Sequence, residues 1–213
     1  MQHVVDEFVF QNDEIARSII LAMNELAETH TYEEMSIRQI CEKANVSRTT
    51  FYRRFDGKIE AAEWVMRRVS AIGLAQIGRT LTWHEGITMT LAATKRFAAF
   101  FRAGGEWGDS AARRIMDDFT SYHVGMFIDT VTRYKRIRLD EGLEYVLRFW
   151  VYSLCDALFF WRISDFAIPV NQMAEYLERA VPAEIHEMLQ EPVSLTGDEV
   201  FFKLREESEE SIA

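Results

Sequence analysis

An all-α fold is what this sequence predicts, and three observations predict it. Prolines number three and glycines ten in 213 residues, so long stretches run without a helix breaker. Apolar side chains recur at three- and four-residue steps, the period of a helix face. No convincing run alternates apolar and polar residues as a half-buried strand would. Hydrophobic residues make up 48% of the chain, enough for a globular body with a sizeable core.

The first helix is expected over residues 13–29. Ile15, Ile19, Met23 and Leu26 line its apolar side, and Asn12 or Asp13 is placed to cap it. Residues 36–58, SIRQICEKANVSRTTFYRRFDGK, hold two short helices and two tight turns. Ile37, Ile40, Cys41 and Ala44 fall on one face, and Ser36 with Gln39 forms a capping box. Asn45 breaks the pattern, Val46 returns to the apolar side, and Ser47 opens the next helix. That helix turns Phe51 and Phe55 inward and leaves Arg48, Thr49, Tyr52, Arg53 and Arg54 outward. With helix 13–29 packed across them, the two short helices make a three-helix helix-turn-helix unit.

Its outer face suits DNA. Arginines fork onto guanine edges or phosphates, and threonine and tyrosine hydroxyls donate to phosphate oxygens. Candidate DNA-binding residues are Ser36, Arg38, Ser47, Arg48, Thr49, Thr50, Tyr52, Arg53, Arg54 and Lys58. Lys58 follows the Asp56-Gly57 turn at the start of another helix, where free N–H groups also favour an anion. A solvated basic face in an ordinary helical protein is the plainer explanation of the charges alone. The arrangement of cap, turn, aromatic pair and lysine argues for recognition.

That arrangement resembles the tetracycline-repressor (TetR) family of transcriptional regulators. The places that carry the resemblance are Ser36, Val46-Ser47, Thr50-Phe51-Tyr52, Phe55 and Lys58. Arg54 stands where the family often has histidine, and Phe51 where it usually has leucine. The match covers roughly the first third of the chain. The resemblance implies a homodimeric repressor that binds a palindromic operator and is released by a small molecule.

Beyond the motif, helix 57–78 carries Ala61, Trp64, Val65, Met66, Val69 and Ile72, with Gly73 and Gly78 weakening its end. It joins the DNA-binding unit to the remainder with no loose linker. Single helices are expected over 84–102, ending at Gly104-Gly105, and over 109–136, ending in a basic cluster that suits a helix C-terminus. Residues 140–164 are apolar around nearly the whole circumference, which calls for burial on two sides. Residues 169–190 follow, with Pro169 in the first turn and a kink or break at Pro182. The two last helices are the expected homodimer interface, as a four-helix bundle. Domains are therefore placed at 1–56 for DNA binding, 57–78 for the connecting helix and 79–190 for ligand binding and dimerisation. Residues 191–213 form a partly disordered extension, in which Phe201 and Phe202 are placed to dock a short helix.

Seventeen of the 27 aromatic residues lie between Trp83 and Phe166, and this concentration suggests a pocket. Phe97, Phe101, Phe119, Tyr122, His123, Phe127 and Trp150 are its candidate lining, although aromatics at helical spacing are more often plain core. The expected effector is mostly apolar or aromatic. Asp156, inside the apolar run, needs a partner if it is buried: Arg148, Arg162 or a residue across the dimer is the plainer choice, and a cationic or hydrogen-bonding ligand the alternative.

Other functions find little support. There is no phosphate loop, nucleophile elbow or metal-ligand cluster, so no enzyme, cofactor or metal site is expected. No segment reads as a signal peptide or membrane span, and Cys41 and Cys155 read as buried thiols of a cytoplasmic protein. Charge raises a second reading. The net charge is −10; residues 36–58 carry six basic against two acidic side chains, but residues 1–35 carry Arg17 alone against eight acidic ones. The basic N-terminal arm of many family members is missing. A co-regulator or ligand sensor of the same fold, with weak or no operator binding and a protein partner, is the alternative.

Overall fold

The computed structural model describes residues 2–11, 13–103 and 109–193, with side chains from Val5 onward except 109–116. Among these residues the chain is helical, with one isolated bridge between Ile77 and Leu81. The helices are α1 (Gln2–Phe10), α2 (Glu14–Leu26), α3 (Ile37–Ala44), α4 (Arg48–Arg54), α5 (Lys58–Ala71), α6 (Trp83–Arg96), α7 (Ala98–Ala103), α8 (Asp109–Asp129), α9 (Glu141–Ile163), α10 (Val170–Arg179) and α11 (Ala183–Leu189). One continuous apolar cluster runs from Val5 in α1 to Leu189 in α11.

Asp13 caps α2 by accepting the Ala16 N–H at 2.8 Å; Asn12, the other candidate cap, lies outside the described residues. Residues 2–10 form a helix that the periodicity of the sequence did not announce. Val5, Val9 and Phe10 are buried, so this helix is held by packing rather than by propensity. It lies against α2, α5 and α6.

The helix expected over 84–102 is two. Phe97 leaves helical geometry at φ −108° and ψ 38°, which separates α6 from α7. The helix expected over 169–190 also divides, with Pro182 extended at φ −58° and ψ 138° before α11. Helix α8 ends in a π-helical turn at Thr130–Tyr134, which Arg79 holds through Thr130 Oγ1 at 2.9 Å and Asp129 Oδ2 at 3.2 Å. The Gly104-Gly105 break and the Phe201-Phe202 tail lie outside the described residues.

Helix α5 ends at Ala71, short of residue 78, because the chain must cross α6 closely there. A β-carbon on Gly73 would sit 2.2 Å from Thr90 Oγ1, and one on Gly86 2.3 Å from Ile77. The crossing fixes the connecting helix against the body.

Candidate nucleic-acid interface

The two motif helices are built by local rules. Ser36 Oγ accepts the Gln39 N–H at 3.2 Å while Gln39 Oε1 accepts the Ser36 N–H at 2.9 Å, a complete capping box. Asn45 ends α3 in the left-handed region at φ 54°, a conformation asparagine tolerates better than most residues. Ser47 Oγ then accepts the Thr50 N–H at 3.0 Å and starts α4. Phe51 and Phe55 are fully buried, with their rings 6.2 Å apart. Burying each stabilises the unit by about 1.5–3 kcal/mol and fixes which face of α4 looks out.

That face presents Arg48, Thr49, Tyr52 and Arg53, all exposed, with Thr50 half-buried beside them. Ser36 and Arg38 lie exposed at the start of α3. Between the helices runs an open groove of about 500 Å³, with Cys41 and Val46 lining it and Arg38, Asn45 and Arg48 at its edges.

The six cations of this segment divide by partner. Arg38 pairs with Glu42 at 2.8 Å and Lys43 with Glu25 at 2.6 Å, both on the surface. Arg54 is turned inward: its Nε donates to Asp13 Oδ2 at 2.7 Å, and its guanidinium lies 4.5 Å from the Phe55 ring centre and 5.0 Å from that of Trp64. Lys58 donates to three backbone carbonyls, Tyr32 O at 2.5 Å, Met35 O at 2.9 Å and Glu33 O at 3.1 Å. Partial burial pushes its pKa below the usual lysine value. Arg54 and Lys58, both expected to point at DNA, are therefore engaged in the unit's own packing. The reason is distance along the chain: their partners are on α2 and the α2–α3 loop, which helical spacing alone does not reveal. Arg48 and Arg53 make no salt bridge among the described residues.

The aromatic candidates of the body are buried or half-buried side chains in four contact groups. Phe127 and Trp150 pack edge-on at 5.1 Å and both meet Trp83, whose other neighbour is the His186 ring. Phe97 instead meets Phe10 of α1, and Phe101 meets Phe100. Phe119 and Tyr122, half-buried, flank His123. His123 is fully buried: Nδ1 lies 2.7 Å from Phe119 O and Nε2 2.9 Å from Ser70 Oγ on α5. A carbonyl can only accept, so Nδ1 carries the hydrogen, and in the neutral ring Nε2 is an acceptor facing the Ser70 hydroxyl, whose single hydrogen is shared with Met66 O at 3.1 Å. Burial pushes the pKa of this imidazole down to about 4. The seven candidates line neither the α3–α4 groove nor the groove on α9 described next.

Helix α9 has two apolar sides. Leu147, Trp150, Val151, Leu154, Leu158 and Trp161 face the core. Tyr145, Phe149, Tyr152, Phe160 and Ile163 face out, exposed by 71, 69, 54, 62 and 49%. Asp156 lies exposed on that outward side, so within the single chain it needs no buried partner. The stripe runs into a groove of about 570 Å³ lined by Ala157, Phe160, Trp161, Ile163, Ile168 and Met173. Among the described residues no helix is long and apolar enough to cross a membrane, and no group of three or more potential ligands could hold a metal ion.

Residues 19–60 match the profile of the tetR family of bacterial regulatory proteins. A search of curated proteins gives no match. The TetR family repressor AlkX from Dietzia sp., implicated in biodegradation of n-alkanes, is similar in structure with a TM-score of 0.52 at 17% identity. The similarity covers 81% of this chain and 98% of that one. A tetR-family transcriptional regulator from Streptomyces coelicolor aligns over 92% of this chain and 98% of its own, at TM-score 0.49 and 17% identity.

Proposed function

We propose that this TetR-family DNA-binding regulator is a homodimeric cytoplasmic repressor that grips a two-fold operator and is released by a small apolar or aromatic molecule. One observation carries the reading: α4 offers Arg48, Thr49, Tyr52 and Arg53 to solvent on a rigid base of buried Phe51 and Phe55. A helix of this kind enters the major groove, where each arginine forks onto guanine O6 and N7 or onto a phosphate. Tyr52 and Thr49 add hydroxyls for backbone oxygens, which set register without reading sequence. The chemistry is recognition and not catalysis.

The outward stripe of α9 supports dimerisation. Five large apolar side chains on one face are costly to leave in water, and a second α9 would cover them. Closure about a two-fold axis would then present two α4 helices to one face of the duplex, about 34 Å apart. The effector is proposed to enter the aromatic body between α6, α8 and α9 by separating side chains that now touch. It shifts the protein only by binding one helix arrangement more tightly than the other.

A specific observation favours the second reading, a co-regulator with weak operator binding. Four of the six motif cations are engaged within the chain, and the N-terminal 35 residues are strongly acidic. Fluorescence anisotropy with fragments of the protein's own upstream region, at several salt concentrations, separates the two. The repressor reading expects saturable, sequence-preferring binding that weakens with salt and is lost on adding a compound found by thermal-shift screening. Absence of sequence preference at low salt would leave the co-regulator reading.

A further inference from the structure

We propose that α1 is a strap that orients the recognition helix relative to the body, with the Asp6–Arg96 ion pair as its fastening. The inference rests on the operator-binding reading for its consequence, not for its geometry.

The middle of α1 and its C-terminal end are tied to different parts of the molecule. Asp6 lies buried and its two carboxylate oxygens accept from Nε and Nη2 of Arg96, the last residue of α6, at 3.0 and 2.9 Å. Such a two-point charged contact fixes angle as well as distance. At the C-terminal end of α1 the Glu7 and Phe10 carbonyls accept from the Gln11 and Asp13 N–H groups, and the last turn has no basic residue of its own to serve Phe8 and Val9. Arg68 of α5 supplies the missing donors, reaching Val9 O at 2.8 Å and Phe8 O at 2.9 Å. Phe10 then sits between the Trp64 ring of α5, stacked at 6.1 Å, and the Phe97 ring at the α6–α7 break, edge-on at 5.9 Å.

Trp64 is shared. Its other neighbours are Phe55 and the Arg54 guanidinium, and Arg54 is bound to Asp13. A continuous set of contacts thus runs from Arg96 in the body, through α1 and Trp64, to the end of α4. The close crossing at Gly73, just beyond α5, is a second link between the same two parts. Helix α2 also packs directly on α7, where Asn24 Oδ1 accepts the Phe100 N–H at 3.1 Å, and α1 adds a charged fastening to these contacts. Holding the unit still before DNA arrives lowers the ordering cost of binding.

The test uses the full chain with Asp6→Asn, Arg96→Gln and the reversed pair Asp6→Arg with Arg96→Asp. Hydrogen exchange is followed segment by segment without DNA, and affinity is measured on the parent's preferred DNA fragment. Arg96→Gln should speed exchange in residues 2–10 and also in residues 48–55, while α9 is unchanged. Specific affinity should fall by about five- to tenfold with the salt slope unchanged, the size of a typical coupling between sites. The reversed pair should restore both. Faster exchange in α1 without any change in α4, a uniform rise that includes α9, or an unchanged or increased affinity would each overturn the strap. If the parent shows no sequence preference, it is the operator reading that fails, and the exchange pattern still decides whether α1 holds α4.

Discussion

Arg54 donates its Nε–H to Asp13 Oδ2 at 2.7 Å while Asp13 Oδ1 accepts from the Ala16 N–H at 2.8 Å. One carboxylate therefore starts α2 and anchors the end of α4. Both side chains are partly shielded, at 23% and 31% exposure, so the pair is not an ordinary surface ion pair. Replacing Arg54 with Gln is expected to destabilise the fold by about 1–3 kcal/mol, from a charged hydrogen bond and lost stacking on Phe55 and Trp64. Operator affinity should fall without a change in salt slope. A slope flattened by about one unit would mean that Arg54 leaves Asp13 to meet a phosphate.

Arg48 and Arg53 behave oppositely, because neither is held by a salt bridge among the described residues. Arg53→Ala is expected to leave thermal stability nearly unchanged, within about 0.5 kcal/mol. Binding should weaken by about 1–3 kcal/mol and specificity relax at one base position if the side chain forks onto guanine. Selection of preferred sequences from a random library by parent and variant checks this. Identical preferred sites would place Arg53 on the backbone or off the DNA.

Lys58→Ala separates packing from phosphate contact at a third position. Three carbonyls of the α2–α3 connection lose their donor in this variant. The loss should lower the unfolding free energy by about 1–3 kcal/mol, read from urea unfolding. The salt slope of DNA binding should stay that of the parent. A variant as stable as the parent with a flatter slope would return Lys58 to the DNA backbone.

The parts of the interface legible in the sequence are those set by neighbours three or four residues away. Ser36 with Gln39, Asn45, Ser47 with Thr50, and Phe51 with Phe55 all act within one helical turn. Arg54 and Lys58 were not legible as anchors, because their partners are 41 and up to 26 residues distant. The same holds for α1, whose fastenings lie 59 and 90 residues away at Arg68 and Arg96. Pro182 announced the α10–α11 break through its own ring. Phe97 gave no such sign; the break there goes with contacts to α1 that no local pattern encodes. The outward stripe of α9 was visible as excess apolar character, although which side chains faced out needed the packed body.

Phe149 and Tyr145 lie one turn apart on that stripe, and both are about 70% exposed. A carboxylate introduced there costs the single chain little and would be buried against a partner in the proposed dimer. Phe149→Glu is expected to give a monomer by sedimentation at micromolar concentration, with an unchanged circular dichroism spectrum. Operator binding should drop sharply, because a palindromic site needs two α4 helices at once. A dimer that persists in this variant would place the interface elsewhere.

His123 ties α8 to the connecting helix through Ser70, and its burial sets a pH dependence of known sign. Its folded pKa is pushed down to about 4, against an ordinary value of 6.5. Between those values the unfolded chain holds a proton that the native imidazole does not. Stability from this group is therefore complete above about pH 6.5, falls as pH drops toward 4, and changes no further below that. The full difference is on the order of 3 kcal/mol. Other groups titrate in the same window, so the parent must be compared with His123→Gln, whose amide keeps a donor for Phe119 O and an acceptor for Ser70. Urea unfolding at intervals from pH 4.5 to 7.5 should show the variant losing less stability than the parent as pH falls. Parallel curves for the two proteins would mean that His123 is not shielded from protonation, and that the α5–α8 contact does not depend on a neutral ring.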